Sequence, residues 1–141
     1  MPGSVAVRPR AAEDRDWLVA TMTEEWGSVE VARLGELVDT SDLSGFVAEL
    51  DGQRVGLALT VRRDDEYEVV SISTSRPRRG VGRALLGRCV EDARSHGCRR
   101  VWLVTTNNNV GALAFYQRCG MDIAALHRHG TTRARELKLL D

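Results

Sequence analysis

Arg78-Arg79-Gly80-Val81-Gly82-Arg83 sets two glycines, one residue apart, among three arginines. A β-branched run, Tyr67 to Thr74, precedes this stretch, and apolar residues at helical spacing come after it. A strand–turn–helix of this kind gathers backbone N–H groups into one concavity. Glycine lets the chain approach a ligand closely and take positive φ. The helix start adds partial positive charge, and arginine binds phosphate oxygens in pairs. The stretch therefore suits an anion such as a pyrophosphate. It is not a P-loop, because it lacks a Gly-Lys-Ser/Thr after its glycines. It is not a dinucleotide fingerprint either, because Leu85 stands where Gly or Ala is needed. An ordinary glycine turn between strand and helix fits the same residues.

The second group lies in "NNNVGALAFYQRCGM", Asn107 to Met121. Asn109 falls at a helix start, where its side chain caps the helix or meets a ligand amide. Tyr116 comes about two turns later, near the same face. Taken alone, Phe115-Tyr116 also fits a core aromatic beside a surface one. Glu66 and Glu68 are two apart on a strand and share a face, and Glu24 and Glu25 end the first helix. Any of these four could serve as a general base; Glu68 ranks first, and a solvated surface carboxylate remains open for each. Glu24 and Glu25 could equally attract a cation. His127 and His129 are two apart without further ligands, so no metal is expected. His96 suits a helix C-terminus.

These residues need elements to hold them. "SVAVRP" reads as a first strand, and residues 11–26 as a helix ending at Gly27. Residues 28–45 read as one short strand or helix and then a loop. "FVAEL" and "RVGLALTVRR" flank an Asp-Gly turn, a hairpin signal. "YEVVSIST" is the next strand. A helix from Val81 to His96 buries Val81, Leu85, Cys89 and Ala93 and stops at Gly97. "RRVWLVTT" reads as a buried strand, "VGALAFYQRC" as a helix stopped by Gly120, and "MDIAALHRH" as a strand. The tail, "TTRARELKLLD", suits a short helix or a last strand. The order implies an antiparallel meander and then a right-handed parallel crossover.

With 141 residues, 43% hydrophobic and 28% charged, the chain has the size of one domain. A net charge of zero argues against a general nucleic-acid binder. Cys89, Cys98 and Cys119 form no CxxC pair and no closed disulfide set, as expected in a reducing cytoplasm. No apolar run nears the ~20 residues of a membrane span, and the first residues do not read as a signal peptide.

Together, "RGVGRALL" and "NNNVGALAFYQRCGM" resemble the GCN5-related N-acetyltransferases, the GNAT family. The resemblance extends through "GFVAEL", "VGLALTVRR" and "EVVSIST". It departs at Pro77, where the family usually has Gln or Arg, and at Met121, where it often has Phe. The resemblance implies an α/β (α+β) fold with a mixed, mostly antiparallel, splayed sheet flanked by helices. It implies one domain over residues 1–141, with a C-terminal end shorter than the family's, whose leucines pack on the domain or on a second copy. Acetyl-CoA is the implied cosubstrate, with no metal. The amides of Arg79, Gly80, Val81, Gly82, Arg83 and Ala84 would hold its pyrophosphate. The main chain of Ile72, Ser73 and Thr74 would face the pantetheine arm, and Asn109 would hydrogen-bond the cofactor. Tyr116 would be the general acid, for which Glu68 is the partner base chosen from the residues. The acceptor would be a small-molecule or protein amine, with no nucleic acid or membrane involved. A homodimer is a family-level expectation. A non-catalytic acyl-CoA-binding or protein-interaction module on the same fold is the alternative.

Overall fold

The structure, a computed structural model, describes residues 4–33, 36–76, 80–104 and 110–121. In chain order its elements are β1 (Val5–Pro9), a 3-10 turn (Ala12–Asp14), α1 (Arg15–Trp26), β2 (Glu30–Arg33), β3 (Glu36–Asp39), β4 (Ser44–Leu50), β5 (Gln53–Arg63), β6 (Glu66–Thr74), α2 (Val81–Ser95), β7 (Arg100–Trp102) and α3 (Val110–Arg118). They fall into two units: Met1–Val29 with Thr40–Trp102, and Glu30–Asp39 with Leu103–Asp141.

The first unit is built on a five-stranded sheet in the order β1-β4-β5-β6-β7. Its first three pairings are antiparallel and the last, β6 with β7, is parallel. The β4–β5 turn has Asp51 at φ 52° and Gly52 at φ 79°, the positive pair that matches strand twist in a tight hairpin. β1 is an edge strand, so Pro9 can end it without costing a ladder bond. α2 lays Val81, Leu85, Cys89 and Ala93 into the core, together with Leu86. α1 contributes Leu18 and Met22.

One irregularity decides where side chains point. Leu59 faces Ser71, but Thr60 faces Val69, so Val70 is an extra residue on β6. Such a bulge switches the face taken by the residues on its far side. Tyr67 and Ser71 are four apart and would share a face in a regular strand. Instead the Tyr67 hydroxyl donates to Asp92 Oδ2 of α2 at 2.7 Å, while Ser71 Oγ donates to Met22 Sδ of α1 at 3.7 Å. Glu68, beside Tyr67, therefore turns to the α1 face, as do Ser71 and Ser73 beyond the bulge.

Asp14 ties β1, α1 and β5 together. It is fully buried and accepts from Arg8 Nη1 at 2.7 Å, Arg54 Nε at 2.9 Å and the Ala11 N–H at 2.8 Å. The Arg8 guanidinium, the Ala11 N–H and the Arg54 charge hold its carboxyl well below the usual carboxylate range, against the opposing effect of burial.

In the second unit β2 and β3 form an antiparallel hairpin. This corrects the single short element expected over residues 28–45. α3 ends near Gly120, at φ 93°, with the Met121 N–H bonded to the Tyr116 carbonyl at 3.0 Å. β7 is also a correction: it spans three residues, none of them buried, where a longer buried strand was expected. The strand expected over "MDIAALHRH" and the tail element lie outside the described residues.

Candidate functional site

β7 pairs with β6 only at Glu66, Glu68 and the residue between them, Tyr67. From Val69 to Thr74, β6 runs on with no strand on that edge among the described residues. Its other edge stays paired, with Ile72 opposite Ala58, Ser73 opposite Leu57 and Thr74 opposite Gly56. Among the described residues the N–H and C=O groups on that edge face no partner strand. An extended amide-bearing molecule can add there as a strand does.

The open edge leads to the start of α2. Gly80, its N-cap, has φ 78°, a left-handed conformation that favours glycine. The N–H groups of Val81, Gly82 and Arg83 precede the first intrahelical bond and point outward from the helix start. Ala84, expected as a further donor, is already engaged: its N–H bonds the Gly80 carbonyl at 3.0 Å. Gly56 allows the helix to begin here. A Cβ on it would lie 2.7 Å from Val81 Cγ1 and 2.8 Å from the Ser73 carbonyl oxygen. Arg79 and Asn109 lie outside the described residues.

Glu68 sits where the strands part, opposite Trp102. It is 3% exposed, so it is not the solvated surface carboxylate left open from sequence. With Val61, Glu66, Arg99 and Trp102 it borders a cavity of about 350 Å³. Trp102 Nε1 is buried there without a hydrogen-bond partner, a polar feature that sequence reasoning missed because "VWLV" reads as plain core. Glu66 accepts from Arg100 Nη2 at 2.9 Å and is thereby committed to an ion pair. Glu24 and Glu25 are exposed on the last turns of α1.

Tyr116 lies on α3 in the second unit, half-buried, its ring edge-on to Phe115 with centroids 5.3 Å apart. Burial, with a smaller effect of Cys119, pushes its hydroxyl up to about 12. It therefore remains a proton donor throughout the neutral range.

A mixed sheet whose parallel pair opens after three residues, with a glycine-started helix at the carboxyl end of the opened strand, has the form of an acyltransferase fold. Residues 13–121 match the model of the acetyltransferase (GNAT) family. YdhI of Bacillus subtilis (strain 168) is 34% identical over 116 residues, covering 82% of this chain and 72% of that protein. YxbD of the same organism is 30% identical over 131 residues, covering 92% and 82%. The crystal structure of nourseothricin acetyltransferase superposes with a TM-score of 0.69 at 25% identity, covering 89% of this chain and 87% of that one. The chain belongs to the GNAT family, the acetyl-CoA-dependent N-acetyltransferases.

Proposed function

We propose that the protein transfers the acetyl group of acetyl-CoA to a primary amine by direct attack. The observation that carries this is the edge of β6 that faces no strand among the described residues, together with the glycine start of α2. Main-chain groups of Ile72, Ser73 and Thr74 bind the amides of the pantetheine arm. The N–H groups of Gly80, Val81, Gly82 and Arg83 take the pyrophosphate, joined by Arg79. Asn109 adds a further hydrogen bond to the cofactor. A strand amide left unpaired where the sheet opens polarises the thioester carbonyl.

Acetyl-CoA supplies an acyl carbon activated by a thiolate leaving group. The amine nitrogen forms a bond to that carbon and the C–S bond breaks. Glu68, directly or through water, accepts the proton the amine loses. Tyr116 gives its hydroxyl proton to the departing sulfur. The acceptor is a small-molecule or protein amine. The structural relative above is named as an acetyltransferase of nourseothricin, and an Escherichia coli relative as one of a ribosomal protein alanine. Both names fit an amine acceptor. The three free cysteines suit the reducing cytoplasm as its place of action.

The test is a panel of amines with acetyl-CoA, read by released free thiol, beside a thermal-shift titration. Stabilisation by acetyl-CoA, together with thiol release that depends on an added amine, is expected. Absence of any shift would remove acetyl-CoA from the site.

A further inference from the structure

Only one register of β6 sends Glu68 to the α1 face. With the bulge at Val70, Tyr67 stands opposite Arg62, Glu68 opposite Val61 and Val69 opposite Thr60. Without the bulge, and with Ser71 kept opposite Leu59, every residue before it moves on by one partner. Glu68 would then stand opposite Arg62, in the place that Tyr67 holds, and on the α2 face. A slip of one residue reverses the face of every side chain it touches.

The turn does not decide between the two registers. Arg63 faces Glu66 across a two-residue loop. The slipped register would have a three-residue loop, also a common hairpin length. Nor do the ion pairs of Glu66 with Arg99 and Arg100 decide, because both arginines are exposed and such pairs contribute little. What separates the registers is Tyr67. Its side chain is 1% exposed, and its hydroxyl donates to Asp92 Oδ2 of α2 at 2.7 Å. Burial pushes that hydroxyl above the usual tyrosine range, so it stays a donor. A hydrogen bond to a carboxylate is among the stronger kinds. The slipped register loses this bond and takes the ring off the α2 face. It also sets the Glu68 carboxylate beside Asp92, where like charges repel.

We infer that Tyr67, anchored on Asp92, is a positioning residue that selects the bulged register of β6 and so keeps Glu68 on the α1 face. The catalytic consequence rests on the role proposed above for Glu68. The slip stops at Ser71, so Ile72, Ser73 and Thr74 keep their partners on β5. The anchor therefore governs turnover and leaves acetyl-CoA binding untouched.

The experiment is nuclear magnetic resonance of the whole chain beside steady-state kinetics, in the parent, Tyr67→Phe and Asp92→Ala. Cross-strand nuclear Overhauser effects should pair Glu68 with Val61 in the parent. In both variants a second set of signals should pair Glu68 with Arg62. Tyr67→Phe should move the balance on the order of tenfold, as expected for a lost hydrogen bond to a carboxylate. Asp92→Ala should move it further, since the like charge goes too. Asp92→Ala also frees His96, 3.4 Å from the other carboxylate oxygen, which Tyr67→Phe does not touch. An effect common to both variants thus belongs to the Tyr67–Asp92 bond. Asp92 is partly exposed, so its variant keeps the test open should Tyr67→Phe fold poorly. Turnover should fall severalfold in the same order, with the acetyl-CoA thermal shift unchanged. A single parental register in both variants overturns the inference, and a second register with unchanged turnover overturns the positioning role. A parent that shows no acetyl-CoA shift removes the function proposed above, and the register is read independently of it.

Discussion

In the proposed reaction Tyr116 and Glu68 divide the proton traffic between them, and each is open to a substitution that keeps its shape. Tyr116→Phe retains the ring and its edge contact with Phe115, so stability should change by under about 1 kcal/mol. Turnover should fall roughly a hundredfold, with the acetyl-CoA thermal shift unchanged, if the hydroxyl protonates the leaving thiolate. Equal turnover with chemistry limiting would assign that proton elsewhere. The pH profile gives a second reading. The Tyr116 hydroxyl, pushed up to about 12, stays protonated through the alkaline range of ordinary assays. The rate should then keep rising from about pH 8 to about pH 10 as the amine, with an ordinary pKa near ~10, loses its proton. A fall across that interval in the parent, absent in Tyr116→Phe, would mean that the tyrosine ionises sooner. Glu68→Gln should cut turnover while leaving acetyl-CoA binding intact; steady-state kinetics beside the thermal shift separates the two. Glu68 was singled out from its strand position, but its burial was not legible. No local pattern marks the spot where β7 leaves β6, and that parting gives the carboxylate its place.

At the scale of elements, the junction of β5, β6 and α2 is the demanding one. Gly56→Ala puts a methyl within 2.8 Å of the Ser73 carbonyl oxygen and 2.7 Å of Val81 Cγ1. Overpacking of this kind costs about 1–3 kcal/mol, and it displaces the very start of α2. The variant should melt lower and show a smaller acetyl-CoA shift; a shift as large as the parent's would mean that the helix start tolerates displacement. Gly82→Glu works differently. A carboxylate in the first turn favours the helix, so the fold should persist. The same charge repels a pyrophosphate, so the acetyl-CoA shift should vanish, whereas Gly82→Ala should retain it. The helices were largely readable. The four-residue spacing of Val81, Leu85, Cys89 and Ala93 is their burial pattern, and Gly27, Gly97 and Gly120 all stand at positive φ where a stop was expected. The β2–β3 hairpin was not readable, because "EVAR" and "ELVD" are too short to show alternation. Nor was the bulge at Val70: a run of β-branched residues looks the same with or without an extra residue, so the face taken by Ser71 and Ser73 came only with the structure.

For the molecule as a whole, Asp14 is an acid-sensitive tie. Nothing in the sequence singled it out. Its partners Arg8 and Arg54 come from strands near and far in the chain, and no local pattern announces them. The carboxyl is depressed in the folded state relative to the unfolded chain. Its stabilisation is thus complete above the unfolded value of about 4 and is lost as pH falls towards the lower folded value. Unfolding midpoints should drop as pH is lowered through that range, and Asp14→Asn should flatten the dependence while lowering stability at neutral pH by about 2 kcal/mol, less than for a fully buried pair because both arginines are partly exposed. A variant with the parent's acid slope would place the sensitivity in other carboxylates.

The thiol of Cys89 offers a different use of the same architecture. It is wholly enclosed beneath α2, and burial pushes it up to about 12. Neither thiolate nor access is available while the helix is seated. Cys98 and Cys119 are half-exposed. Replaced by serine, they would leave one sulfur that reacts with an alkylating reagent only when the core opens. Its modification rate in the native protein then becomes a clock for that opening, and any ligand that closes the molecule down should slow it.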